Sequence, residues 1–191
     1  MLVGTGALTG TRTRVTIVRR VAFVGLSCSG KSTTARRLAA ELRLPYVELD
    51  ELNHGPGWTE VSADELRARV ERALAAAPDG WVVEPTYSSK LGELIYERAD
   101  TLVWLDLPLL LCLRRIWKRT WRRILRGEEL WHGNREAVRN AFFVRNSLFR
   151  GAIHAHRRNE TAVPARAARH EHLRLIRLRS PKDVERFLAM L

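Results

Sequence analysis

The chain has 191 residues, 46% of them hydrophobic, and a formal net charge of +12. That length suits one domain with a full core, and no apolar run approaches the ~20 residues of a membrane span, so a membrane-spanning helix is excluded. The two cysteines, Cys28 and Cys112, have neither framework nor metal-ligand spacing, and residues 1–13 lack a signal-peptide core, which together predict a reducing, cytoplasmic location. The excess of Lys and Arg suits an anionic partner, and both a nucleotide and a nucleic acid satisfy it.

Residues 1–19 read as a flexible leader, small and polar at the start, and 20–191 as a single domain. Val21–Val24 is a short apolar run of buried-strand type, and from Thr34 to Leu42 the apolar residues recur with helical period. Between them lies Gly25-Leu26-Ser27-Cys28-Ser29-Gly30-Lys31-Ser32, followed by Thr33, which has the form G-x-x-x-x-G-K-[ST]. Strand, glycine loop and helix are the context this phosphate-binding P-loop requires. The two glycines allow successive backbone N–H groups to turn inward around a polyphosphate, and the helix N-terminus adds its positive end. Gly25, Ser27, Cys28, Ser29, Gly30, Lys31, Ser32 and Thr33 are the expected nucleotide contacts. Lys31 supplies a point charge for the β- and γ-phosphates and the Ser32 hydroxyl is placed for Mg²⁺.

Pro45 to Asp50 reads as a second strand ending on a carboxylate, followed by the turn-rich loop Glu51–Trp58. Ser62 to Glu65 has capping-box form and opens a helix that Pro78-Asp79-Gly80 closes. Trp81–Glu84 is a third strand ending on a carboxylate, a helix spans about Lys90–Arg98, and Thr101–Asp106 is a fourth strand. Near-continuous apolar strands alternating with helices predict an α/β fold with a doubly wound parallel sheet, helices on both faces, and ligands beyond the strand carboxyl ends. Asp50, Glu84 and Asp106 fall at those ends.

A helix over Pro108–Arg126 carries Arg114, Lys118, Arg122 and Arg126 in one row and Arg115, Arg119 and Arg123 in the next. No acid interrupts them, so they repel one another and favour an anion. Arg115, Arg119, Arg122 and Arg123 are candidates for a lid over the phosphates, with the lid region at about 114–136. A further helix is expected over Ala137–Arg157, irregular chain over Arg157–Arg169, a last strand at Leu173–Leu178, and a final helix capped by Ser180 to Asp183. Phosphoryl transfer needs positioning, Mg²⁺ and positive charge on the moving group. Asp50 suits either a Mg²⁺ contact or the proton of an attacking hydroxyl, and Glu84 a neighbouring metal-side role. His54, Trp58, Glu84 and Tyr87 are candidates for the acceptor pocket.

The P-loop, the Leu49–Trp58 segment, Trp104-Leu105-Asp106-Leu107-Pro108 and Gly133-Asn134-Arg135-Glu136 resemble small bacterial adenylate-kinase-like P-loop kinases, often labelled topology modulation proteins. The resemblance implies a five-stranded parallel sheet, ATP and Mg²⁺, a small arginine-rich lid after the fourth strand, and the Leu178–Pro181 turn near the adenine. The chain lacks the arginine-bearing segment after the second strand and the Gly-x-Pro-Arg turn after the third that mark adenylate kinases proper. Two acceptors follow, a nucleoside monophosphate, favoured narrowly, and a hydroxylated metabolite of the shikimate or gluconate kind. A nucleotide-binding regulator that contacts nucleic acid through its basic face is the alternative from another class.

Overall fold

The computed structural model describes residues 19–126, 129, 131–134 and 148–190. The expected leader up to residue 18, much of the expected lid beyond Arg126, and 137–147 of the expected long helix lie outside the described residues.

The first strand, β1 (Arg20–Gly25), is followed by helix α1 (Lys31–Leu42), β2 (Tyr46–Glu48), α2 (Leu49–Asn53), a 3₁₀ turn at Pro56–Trp58, and α3 (Ala63–Ala75). Next come β3 (Trp81–Glu84), α4 (Ser88–Leu91), α5 (Leu94–Arg98), β4 (Thr101–Leu105) and α6 (Leu109–Arg126). A 3₁₀ turn at Trp131–Gly133, α7 (Leu148–Ala167), β5 (Arg174–Leu178) and α8 (Pro181–Ala189) complete the described chain. The strands form one five-stranded sheet in the order β2-β3-β1-β4-β5, with every pairing parallel.

Side-chain alternation along each strand divides the core between the two sheet faces. Val21, Phe23, Val82, Val103 and Leu105 pack with Ala35 and Leu38 of α1 and Leu188 of α8. Ala22, Val83, Leu102 and Trp104 pack on the other face with Leu66, Val70 and Leu74 of α3, Ile95 of α5 and Val163 of α7. Asp100 accepts the backbone N–H groups of Arg19 and Arg20 at 2.9 and 2.8 Å, which anchors β1 where two arginines break its apolar pattern. Among the described residues no helix is long and apolar enough to cross a membrane.

Three local expectations change. The second strand stops at Glu48, and Asp50 lies in the first turn of α2, because Leu49 and Asn53 both turn into the interior and a helical turn is what points them there. The helix expected over Lys90–Arg98 is two short ones broken at Gly92, whose φ of +59° ends the first. The stretch expected to be irregular after Arg157 is helix through Ala167, with Pro164 inside it. Burial of Val163 and Ala167 against the sheet outweighs the one hydrogen bond that proline removes. Of the capping expectations, the Ser62–Glu65 box forms only its Ser half, with Ser62 accepting from the Glu65 N–H while the Glu65 carboxylate pairs with Arg69, and a reciprocal Ser180–Asp183 box opens α8.

The α1–sheet contact carries the P-loop, so it is a sensitive place to probe the fold. Leu38 is fully buried in it. Replacing Leu38 by Ala is expected to cost about 3 kcal/mol, read as a lower urea midpoint at unchanged slope.

Candidate active site

The phosphate loop leaves β1 where no side chain fits. A Cβ on Gly25, at φ +154°, would stand 2.7 Å from the Leu105 carbonyl oxygen of the adjacent strand. A Cβ on Gly30 would meet only ordinary contacts, at 3.8 Å or more, and its requirement is conformational, since φ +103° makes it a left-handed N-cap for α1. No side chain caps that helix end. Lys31 folds back over the loop and donates from Nζ to the Leu26 carbonyl at 2.8 Å. Burial pushes the Lys31 pKa down, while the nearby Glu84 and Asp50 carboxylates pull it back up.

Two rows of charge on α6 separate in space. Arg115, Arg119 and Arg123 are half-buried, whereas Arg114, Lys118, Arg122 and Arg126 are exposed. Arg115 donates to the Ser29 carbonyl at 3.1 Å, and Arg119 reaches the Ser27 hydroxyl at 3.5 Å. Both clasp the loop from α6. Arg122, although exposed, stands at the rim of the same cavity.

That cavity has a volume of about 1140 Å³. Residues Ser27–Thr34 line its floor, Arg115, Arg119, Arg122 and Arg123 one wall, and Glu48, Asp50, His54, Trp58 and Glu84 the other. Pro181 and Val184 of α8 close the end nearest the Leu178–Pro181 turn. Asp106, the third strand-end carboxylate, is instead paired with Arg177 at 2.9 and 2.6 Å, an ion pair that joins β4 to β5.

The acidic wall is a built network. Glu48 and Glu84 are register partners on β2 and β3, so parallel pairing alone brings two carboxylates together. Arg36 neutralises Glu48 at 2.6 Å and lies 5.1 Å over the Tyr46 ring. The Tyr46 hydroxyl donates to Glu84 at 2.7 Å, and Glu84 is only 2% exposed. Around Asp50 a chain of hydrogen bonds runs inward. Tyr87 donates to Asp50 Oδ1 at 2.8 Å and receives Asn53 Nδ2 at 3.2 Å. Lys90 in turn donates to Asn53 Oδ1 at 2.7 Å and pairs with Glu60 at 2.7 Å. Burial raises the Asp50 pKa above the usual carboxylate range, and the Tyr87 bond works against that rise. Tyr87 therefore stands behind Asp50 as a support, with its hydroxyl also 3.3 Å from His54 Nε2. The His54 and Trp58 rings meet edge-on at 5.6 Å between centroids. Sequence reasoning assigned no role to Asn53, Lys90 or Tyr46.

A P-loop on the first strand of a 2-3-1-4-5 parallel sheet, facing carboxylates across the strand ends, matches solved structures over nearly the whole chain. A shikimate kinase from Acinetobacter baumannii, in complex with shikimate, is 15% identical over 91% of this chain and 93% of its own, with a TM-score of 0.52. A gluconokinase from Sinorhizobium meliloti is 18% identical over 90% of each chain with a TM-score of 0.49. The fold is that of the small P-loop kinases. No family model matches the sequence, and no curated protein matches it either.

The oxygen donors of Ser32, Asp50 and Glu84 on one cavity fit a hard divalent cation such as Mg²⁺. Among the described residues no three His, Cys, Asp or Glu side chains converge to hold a metal by themselves, so such an ion would draw further ligands from phosphate and water.

The raised pKa of Asp50 has a stability consequence. With its folded pKa above the unfolded one, Asp50 contributes stability only when protonated, and that contribution falls as pH rises through the window between the two. Above the window the charged group carries its burial cost. Asn in its place keeps the oxygen that Tyr87 contacts without the charge, so Asp50→Asn is expected to raise Tm at pH 7 by about 2–4 °C, the shift that ~1 kcal/mol gives in a chain of this size. The difference narrows on acidification, which calorimetry across pH will read.

Proposed function

We propose that the protein is a phosphotransferase that moves the γ-phosphoryl group of ATP to a hydroxyl of a small acceptor. The observation that carries this reading is the division of one cavity into a cationic phosphate half and a carboxylate half. Gly25 to Thr33 cradle the polyphosphate, and Lys31 neutralises it. Pro181 and Val184 supply an apolar end for the base. Arg115 and Arg119 hold the loop and, with Arg122 and Arg123, oppose the charge that spreads over the transferring group. Mg²⁺ held at Ser32 and Glu84 would neutralise phosphate charge and polarise the transferring group, leaving Asp50 for the acceptor proton.

Asp50 takes the proton of the acceptor hydroxyl as its oxygen bonds to the γ-phosphorus, and the bond to the bridging oxygen breaks to release ADP. Its raised pKa makes it a stronger base than an exposed carboxylate, and Tyr87 fixes which oxygen faces the cavity. A nucleoside monophosphate, first of the two acceptors on sequence grounds, asks for cations on the acceptor wall. The arginine there, Arg36, is engaged by Glu48, and the acids Asp50 and Glu84 line the same wall, which favours a hydroxyl over a second phosphate. The likeness to shikimate kinase supports the same choice. Contact with nucleic acid would use Arg114, Lys118 and Arg126 of the outer row, which do not line the cavity.

Incubation of the protein with Mg²⁺, labelled ATP and a panel of sugars, polyols, amino alcohols and nucleoside monophosphates tests the reading. Transfer to a hydroxylated compound is expected, falling about 100-fold or more in Lys31→Ala. Undiminished transfer in that variant overturns the assignment. For the base, removing the Tyr87 hydroxyl takes away the bond that holds the Asp50 pKa down. Tyr87→Phe is therefore expected to shift the acid limb of the kcat/KM profile to higher pH, whereas a limb that stays in place would exclude Asp50 as the titrating group.

A further inference from the structure

On the carboxylate wall of the cavity, three donors are engaged by the wall's own acids. The Tyr46 hydroxyl donates to Glu84, the Tyr87 hydroxyl to Asp50, and Arg36 to Glu48. Lys90, further from the cavity, is held by Asn53, the Val61 carbonyl and Glu60. The wall therefore presents acceptors in excess, because each carboxylate has room for about four hydrogen bonds and the internal donors fill only part of it. A molecule that binds there must bring hydrogens. A polyol does so through every hydroxyl, whereas a carboxylate or phosphate brings further acceptors and a like charge. An ammonium also donates, but beside Asp50 it would hold that carboxylate ionised and lower its pKa, against its use as a base.

The same wall carries an aromatic surface. Trp58 is half-buried and lines the cavity with Glu48, Asp50 and Glu84. Its backbone lies at φ +59°, a conformation that a bulky residue rarely adopts. Asn134, only 4% exposed, braces it there, with Oδ1 accepting the Trp58 N–H at 3.0 Å and Nδ2 donating to the Gly55 carbonyl at 2.9 Å. The His54 ring meets the indole edge-on, 5.6 Å between centroids. An aromatic side chain held in a strained, braced conformation is a preorganised contact surface. An indole beside an array of carboxylate oxygens matches a ring that is edged with hydroxyls and shows C–H groups on its face. We propose that the acceptor is an uncharged sugar or cyclic polyol, and that Trp58 sets this specificity by taking the C–H face of the ring. The inference rests on the phosphotransferase reading and names its acceptor class.

Matched acceptors test this on the full chain with Mg²⁺ and labelled ATP. The set holds pyranoses and cyclitols, the uronic acids and amino sugars that correspond to the pyranoses, open-chain polyols, and nucleoside monophosphates. A neutral ring is expected to be phosphorylated with a kcat/KM about 100-fold above that of its uronic acid. Trp58→Ala is expected to raise the KM for that ring about 10-fold and leave the KM for ATP in place, with Trp58→Phe restoring most of the affinity. A residue that only filled the loop would weaken every acceptor alike, whereas contact with the ring makes the loss larger for the ring than for an open-chain polyol. Equal kcat/KM for the uronic acid or the amino sugar overturns the proposed class. So does a preference for the open-chain polyol or the nucleoside monophosphate, or an unchanged ring KM in Trp58→Ala. Each of those results leaves phosphoryl transfer itself standing. Absence of transfer to every compound of this set overturns the inference, and absence across the wider panel above overturns the phosphotransferase reading with it.

Discussion

The site depends on the close approach of Gly25 to the Leu105 carbonyl. Parallel pairing of β1 with β4 ends there, in register, with Gly25 opposite Leu105. With no room for a Cβ, the chain can turn out of the sheet at that point and lay its next residues across the strand ends. The left-handed Gly30 then starts α1 with its uncapped N-terminus toward the cavity, and Lys31 arrives over the loop it closes. Strand order follows the same logic. β3 on one side of β1 and β4 on the other create the switch point at which parallel sheets bind ligands, and the carboxylate half of the site is delivered by β3 and its neighbour β2.

Charge is divided across this cavity because each half is built by a different kind of element. The cations come from one face of a long helix, where side chains at i and i+4 fall in a line. The anions come from two strand ends in register, Glu48 and Glu84, and from the helical turn at Asp50. Lys31 sits between the two fields, its charge opposed by burial and by Arg119 and supported by Glu84 and Asp50. Three tethers limit how far the acids can relax from one another. Arg36 holds Glu48, Tyr46 holds Glu84, and Tyr87 holds Asp50. Burial raises the pKa of both tyrosines, so each stays a hydroxyl donor at neutral pH.

Much of the donor half was legible because its residues are adjacent in sequence and their backbone demands are specific to residue type. Gly25, Gly30, Lys31 and Ser32 declare themselves by spacing, and the strands around them by unbroken apolar runs. The two rows on α6 were equally legible, although which row faces inward is settled by the apolar residues packed beneath, such as Cys112 and Ile116, which are fully buried. The acceptor half was harder. Reading 45–50 as a single strand hid the fact that Asp50, Asn53 and His54 stand at i, i+3 and i+4 on one helical turn. Once that turn forms, Asn53 points inward and recruits Lys90 from a segment 37 residues away. No local pattern announces such a pairing, because the partners meet only after β3 has inserted between β1 and β2. Asn134 is the extreme case, a polar residue in a turn whose role exists only in the contact it makes with Gly55 and Trp58.

The polar chain that runs inward from exposed Glu60 through Lys90, Asn53 and Tyr87 to Asp50 explains how a charged carboxylate can be kept inside at all. The inner members, Lys90, Asn53 and Tyr87, are each bonded on both sides, and the countercharge within the chain, on Lys90, is placed at the far end, next to Glu60, while Lys31 adds its own pull on the Asp50 charge. Had Lys90 paired directly with Asp50, the carboxylate would be held ionised with a depressed pKa and would make a poor base. With a neutral amide and a phenol between them, Asp50 is positioned through dipoles while burial keeps its pKa high. The same arrangement leaves its charge available to whatever cation or hydroxyl proton enters the cavity. Positioning and basicity are thus supplied by different groups, and the proposed role in phosphoryl transfer gives a use to an acid the fold leaves incompletely compensated.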